Sequence, residues 1–320
     1  MNRNLKTSSI TEAAMITGIL VIVAYISSFF SFVLFFYPTP AIFLAKRKGL
    51  RYASLSLIAA GILISMLLGL QNGITFLILY SPMSIALAYG TCKNEEPNKT
   101  ILYGSAAFMI SFVIFVLLMQ AILGISFVQQ LELMYEESIN MTKDMLIGTA
   151  GNIDNESISG IAEELDNMAI TMSYIINNLF PAILIVSSVA MSYVNYIVAS
   201  KFAKRFSIDI RQHTGISHFS FPRNFMIAMA VLLLLSYLMS VFNINVRIIQ
   251  SNIFFIAYMA MFVQGFAVLK FFLIKWNLNK VLITIILILV LLGAMFGQIL
   301  VLTGVLDLVL DLRKIKHNAI

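Results

Sequence analysis

A single cysteine, three histidines and one tryptophan make this chain poor in the side chains on which metal centres and thiol chemistry rest. Cys92 has no second cysteine to pair with, which excludes an intrachain disulfide framework and a thiolate-rich metal cluster. His213 and His218 are five residues apart, a step that puts them on different faces of a helix, so they read as loop histidines. Catalytic signatures are missing as well: there is no Walker A loop, no Gly-x-Ser-x-Gly, no His-Glu-x-x-His and no dinucleotide-binding glycine fingerprint. The expectation is a protein that is not an enzyme, holds no cofactor or metal and draws no energy of its own from ATP. Charge is scarce too, at 11% of residues where a soluble domain carries about 25%.

What the chain has instead is hydrocarbon. Hydrophobic residues make up 60% of it, with a mean hydropathy of +0.93. A water-soluble core has no use for that excess, whereas each crossing of a bilayer needs about 20 mostly apolar residues in helical form. A membrane barrel would alternate polar and apolar residues over runs of about ten, but stretches such as 281–292 are continuously apolar. The fold class expected is all-α, a polytopic transmembrane helical bundle of eight to ten membrane segments, with the lipid bilayer as its first partner.

The net charge of +6 is unevenly spread. Between Gly124 and Thr171 nine carboxylates stand against Lys143 alone, a net of −8, which leaves +14 for the remainder. Lys and Arg stay on the cytoplasmic side of a membrane, so this polarity reads as topology, and no nucleic-acid motif accompanies it. The expected location is a bacterial cytoplasmic membrane, multi-pass, with a cytoplasmic N-terminus and residues 124–172 extracytoplasmic.

Basic turns then divide the apolar runs. The run from Ala13 to Ala45 is interrupted at Tyr37-Pro38-Thr39-Pro40 and reads as a hairpin, Thr11 to Phe29 and Ser31 to Ala45, closed by Lys46-Arg47-Lys48. Further segments are expected at Tyr52 to Leu70, Ile74 to Thr91 after a turn at Gln71-Asn72-Gly73, Ile101 to Leu123, Ile175 to Ser200, Asn224 to Phe242 and Asn252 to Leu273. Val281 to Leu310 is either a second hairpin, broken near Gly293 to Gly297 or near Gly304, or one crossing followed by a surface helix carrying Asp307 and Asp311. Three regions follow: a six-helix membrane region over 1–200, a basic cytoplasmic loop over 201–223, and C-terminal membrane helices with a basic tail over 224–320.

The acidic segment is expected to fold as a helical hairpin that continues two membrane helices. Ile158, Ile161, Leu165, Met168, Met172 and Ile175 recur at helical steps, and Phe127, Leu131, Met134, Met141 and Met145 repeat the pattern more weakly. Turn chemistry lies between them at Gly148 to Asn155, where Asp154 or Asn155 is placed to cap the second helix.

Candidate functional residues are polar groups inside apolar runs, namely Gln120, Asn195, Gln264 and Gln298, which serve either as ligand contacts or as bonds between helices. Ala14 and Gly18 have the small-x-x-x-small spacing that lets another helix approach, and Gly61, Ser65 and Gly69 repeat it.

Two stretches carry a family likeness. Thr11-Glu-Ala-Ala-Met-Ile-Thr-Gly18 and Pro38-Thr-Pro-Ala-Ile-Phe-Leu-Ala-Lys-Arg-Lys-Gly-Leu-Arg-Tyr-Ala53 resemble substrate-binding (S) components of energy-coupling factor transporters over about the first 200 residues. The whole chain, with its long loop and the ending Asp307-Leu-Val-Leu-Asp-Leu-Arg313, more closely resembles the YybS-like bacterial membrane proteins. The S-component likeness implies a component that binds or passes a small solute of unknown identity, with Ala14 and Gly18 facing a transmembrane coupling subunit. The alternative is a scaffold or regulatory protein that docks another membrane protein through the acidic hairpin or the basic inner loop.

Overall fold

The protein is seen in a computed structural model that describes residues 2–124, 126–149, 155–222, 224–241 and 246–315. Every regular element among the described residues is helical. They fall into two compact units, one of Met1–Ile176 with Leu184–His213, the other of Asn177–Ile183 with Thr214–Ile320.

In the first unit, α1 (Asn2–Ser27) packs on α3 (Leu50–Leu68), and α2 (Pro38–Lys48) lies against both α3 and α5 (Ser81–Cys92). Helix α6 (Pro97–Leu123) packs on α5 and α9 (Phe180–Arg205) completes the core. The α1–α3 contact is polar at its centre: Ser56 Oγ donates to the Ala13 carbonyl at 2.9 Å, and Thr17 Oγ1 donates to that same carbonyl at 2.9 Å. Large apolar side chains such as Met66, Leu67 and Ile122 point outward and are largely exposed, an arrangement that suits lipid and not water.

Six helices among the described residues are long and apolar enough to cross a bilayer: Thr7–Ser27, Leu50–Leu68, Leu70–Cys92, Pro97–Ile122, Gly160–Arg205 and Arg247–Lys275. The pair Lys280–Leu292 and Phe296–Leu310, bent by 108°, makes a seventh when counted as one broken span. The wider sequence count of eight to ten includes Ser31 to Ala45 and Asn224 to Phe242, which fall short of that length as regular helices.

Local chemistry explains where the elements depart from expectation. The segment Ser31 to Ala45 is not one helix but a 3₁₀ run (Ser31–Phe36) joined at Tyr37 to α2, because Pro38 and Pro40 have no N–H to give to the preceding turn. The turn after α3 falls at Gly69, φ 95°, and not at Gln71-Asn72-Gly73, which lies within α4 (Leu70–Thr75). From α4 the chain passes through a π turn (Phe76–Tyr80) directly into α5.

The acidic segment forms a hairpin of α7 (Phe127–Thr149) and α8 (Asn155–Tyr174), packed side by side. Helix α6 stops at Gly124, φ 73°, so α7 is a fresh helix, whereas α8 runs on through a second π turn (Ile175–Leu179) into α9. Of the expected turn, Gly148 and Thr149 belong to α7, α8 begins at Asn155, and Asp154 lies outside the described residues.

The second unit contains α10 (Asn224–Val241), α11 (Arg247–Lys275), α12 (Lys280–Leu292) and α13 (Ala294–Leu310). Its tightest contact is α11 on α13: a methyl at Gly265 would overlap the Leu300 carbonyl, and one at Gly304 the Met261 carbonyl. Asp307 and Asp311 do not form an exposed acidic face at the end of α13. Asp307 is buried, Asp311 ends α13 with φ 49°, and Arg313 folds back into the unit.

Candidate functional site

The residues that break the second apolar segment converge on Asn195. Its carboxamide is fully buried in α9, where Nδ2 donates to the Phe35 carbonyl at 2.7 Å and to the Met191 carbonyl at 2.9 Å. Thr39 Oγ1 donates to Asn195 Oδ1 at 2.9 Å. The 3₁₀ run leaves the Phe35 carbonyl without a regular helical partner, and away from water such a group is costly unless bonded. Asn195 therefore holds the break open on both sides, through the carbonyl before Tyr37 and the hydroxyl after it.

Tyr37 sits at the break itself and is wholly buried. Its ring meets Phe76 at 4.7 Å and Tyr80 at 6.0 Å, and Tyr80 meets Phe108 at 6.0 Å, so an aromatic cluster lines the junction. Tyr37 Oη finds no hydrogen-bond partner among the described residues. Most buried hydroxyls are bonded, because desolvating one without compensation costs about 1–3 kcal/mol.

The basic ends of the first unit meet at one end of it. Lys46 Nζ donates to the Thr91 carbonyl at 3.0 Å and to Asn94, and Lys48 Nζ lies 3.1 Å from Glu12 and 3.3 Å from Ser8 Oγ. His213 Nε2 lies 3.1 Å from Asn98 Oδ1. The start of α1, the ends of α2, α5 and α9, and the start of α6 thus share a level.

The second unit has its own buried polar knot. Arg313 Nη2 lies 2.8 Å from Asp307 Oδ2, and its guanidinium also donates to the carbonyls of Ser217 (2.7 Å) and Phe219 (2.8 Å). Gln264 Nε2 donates to Asp307 Oδ2 at 2.6 Å, and Gln264 Oε1 accepts from the Phe221 amide at 3.1 Å. Every charge in this knot is matched, and it clamps the 217–221 strip to α11 and α13.

On the hairpin, a cleft of about 300 Å³ is lined by Glu132, Tyr135, Glu136, Ala169, Ile170, Ser173 and Ile176. Lys143 pairs with Asp166 at 2.5 Å further along. Among the described residues no three His, Cys, Asp or Glu converge as a metal site.

Of the four amides picked out in the sequence, Asn195 and Gln264 are buried and networked, each within its own unit, while Gln120 and Gln298 are exposed. Ala14 and Gly18 both lie on the exposed face of α1, and a methyl on Gly18 would meet nothing within 4 Å. Gly61 and Ser65 are used internally: a methyl on Gly73 would overlap Ser65 Oγ. His213 belongs to the first unit and His218 to the second, where its Nδ1 lies 3.1 Å from Ser217 Oγ. Tyr37, Thr39 and Arg313 were not singled out as site residues. Their signals were present as the Tyr-Pro-Thr-Pro interruption and as a base just beyond an apolar run.

A family model described as "Predicted membrane protein (DUF2232)" matches residues 14–308. The chain belongs to the DUF2232 family. Its relatives include a protein of Bacillus subtilis (strain 168) named "Uncharacterized protein YybS", 24% identical over 314 residues that cover 96% of this chain and 98% of that one. The YybS-like resemblance thus extends over nearly the whole length, and this DUF2232 protein is a membrane protein with several apolar helices. No solved structure matches. Neither name speaks of transport.

Proposed function

We propose that this DUF2232 protein is a small-solute binding component of a bacterial cytoplasmic membrane, of the S-component type, that relies on partner subunits for energy. The observation that carries the reading is the broken helix at Tyr37, with its buried, unbonded hydroxyl beside a break held open by Asn195. Discontinuous helices at membrane depth mark substrate sites in transporters, because irregular backbone is tolerated there only inside protein or along a cavity. The 3₁₀ run and α2 together rise roughly 28 Å at about 2.0 and about 1.5 Å per residue, which suits a return crossing. The open face at Ala14 and Gly18 is the surface offered to a coupling subunit. Sidedness follows the charges: the basic end of the first unit lies in the cytoplasm and the acidic hairpin outside.

The test is purification from native membranes, with mass spectrometry of the small molecules that stay bound. The wild-type protein retains a solute and Tyr37→Phe loses it, while Tm stays within a few degrees. If the wild type carries nothing, or if Tyr37→Phe retains the same solute equally, the reading is wrong. A second reading, a docking or regulatory membrane protein, is favoured by the hairpin, whose first helix turns an apolar stripe outward.

A further inference from the structure

We infer that the outward face of α7 docks a cationic amphipathic helix of another protein, a step that rests on the docking reading and names the partner's chemistry. The sequence pattern puts Met134 and Met141 on one stripe two turns apart, where they would be expected to seal α7 against α8. The structure does the opposite. The less exposed side of α7 carries Val128, Glu132, Tyr135, Ile139 and Lys143, and from it polar bonds reach α8, Lys143 to Asp166 at 2.5 Å and Ser173 Oγ to Glu132 at 3.1 Å. Met134 is 59% exposed and Met141 60% exposed, with Leu133 at 58% beside them.

Geometry and charge decide what covers this face. Gly160–Arg205 is one 46-residue helix, about 69 Å long against a hydrocarbon core of about 30 Å, so α8 and the α7 packed on it project away from the membrane. Met134 and Met141 lie seven and fourteen residues beyond Phe127, about 10 and about 21 Å along the axis, and Met141 clears a headgroup layer of roughly 5–8 Å. Lipid therefore does not cover the stripe. A second copy is disfavoured by like charge, since each hairpin carries −8. Glu137 and Asp144 border the methionines on the exposed surface. Flexible methionines edged by carboxylates suit a helix that presents apolar residues flanked by Lys or Arg.

The experiment uses the full chain in phosphatidylcholine nanodiscs with an 18-residue Leu/Lys helical peptide as probe, and a scrambled peptide of identical composition as control. Binding is expected for the patterned peptide and at least about tenfold weaker for the scrambled one. Met134→Gln with Met141→Gln should weaken it about tenfold or more, and Glu137→Gln with Asp144→Asn should reduce its salt dependence. These exposed positions leave the fold intact, checked by an unchanged Tm. Equal binding of both peptides, or indifference to the methionine changes, reduces the hairpin to a polyanion and overturns the inference. Methionine-dependent dimers in the ultracentrifuge would assign the face to a second copy, overturning the cationic partner but keeping the docking reading. Absence of binding by either peptide and of dimers overturns both.

Discussion

Asp307 shows how much one carboxylate can organise. It is 2% exposed, paired with a guanidinium that is itself fully buried, and bonded to Gln264 from a different helix. Removing one member of such a pair leaves an uncompensated charge, so Asp307→Ala should cost about 3–5 kcal/mol, whereas Asp307→Leu with Arg313→Met should recover part of it. In the double variant the carbonyls of Ser217 and Phe219 and the Gln264 amide still lose their partners. Thermal unfolding of the purified variants in detergent checks both values, and equal losses for the single and double changes would contradict the ion-pair account. Asn195→Leu should cost about 1–3 kcal/mol by the same measurement, because the Phe35 carbonyl loses its donor and Thr39 its acceptor. The sequence pairs Asp307 with Asp311 by their four-residue spacing, which places both on a surface helix in one of its two readings of this segment. Spacing cannot tell which carboxylate turns inward: that is decided by Gln264, 43 positions away, and by the end of α13 at Leu310. The amides themselves are visible in the sequence, but which of the four would be buried is not.

Among the helices, two small-residue stripes look alike in sequence and behave differently, and two glycines outside any stripe make a third case. Ala14 and Gly18 face outward, Gly61 and Ser65 receive α4 at Gly73, and Gly265 and Gly304 bring the backbones of α11 and α13 into direct contact. Gly304→Ala should therefore lower stability by about 1–3 kcal/mol through overpacking, while Gly18→Ala should stay within about 0.5 kcal/mol. Comparing their Tm values tests the distinction, and a Gly304→Ala protein as stable as the wild type would refute the close approach. Helix existence was legible because long apolar runs admit no other backbone in lipid. The breaks were less so. Tyr-Pro-Thr-Pro announces an interruption, yet Asn195, which bonds the carbonyl before the break, lies 160 residues downstream of it. The α7 stripe is legible as apolar in the sequence, yet Met134 and Met141 stay exposed because polar bonds tie the hairpin from the other side.

At the scale of the whole chain, charge placement is a claim about sides. The first unit gathers the N-terminal end of α1 and the basic ends of α2, α5 and α9 through Lys46, Lys48 and the His213–Asn98 contact. Helix α6 starts from that same level near Lys99 and ends at Leu123, and α9 returns to it with Lys204 and Arg205 in its last turn. The hairpin hangs between the far ends of these two helices, so the assignments are linked: if the Lys99 level is cytoplasmic, Glu136 and Glu163 lie outside. In a Cys92→Ser background, Glu136→Cys and Glu163→Cys should react with an impermeant maleimide on intact spheroplasts, and Lys99→Cys only after permeabilisation. Mirror-image labelling would invert the topology while leaving the fold untouched. Labelling of Glu136→Cys and Lys99→Cys from the same side would mean that α6 does not cross, and the membrane account of the first unit would fail with it.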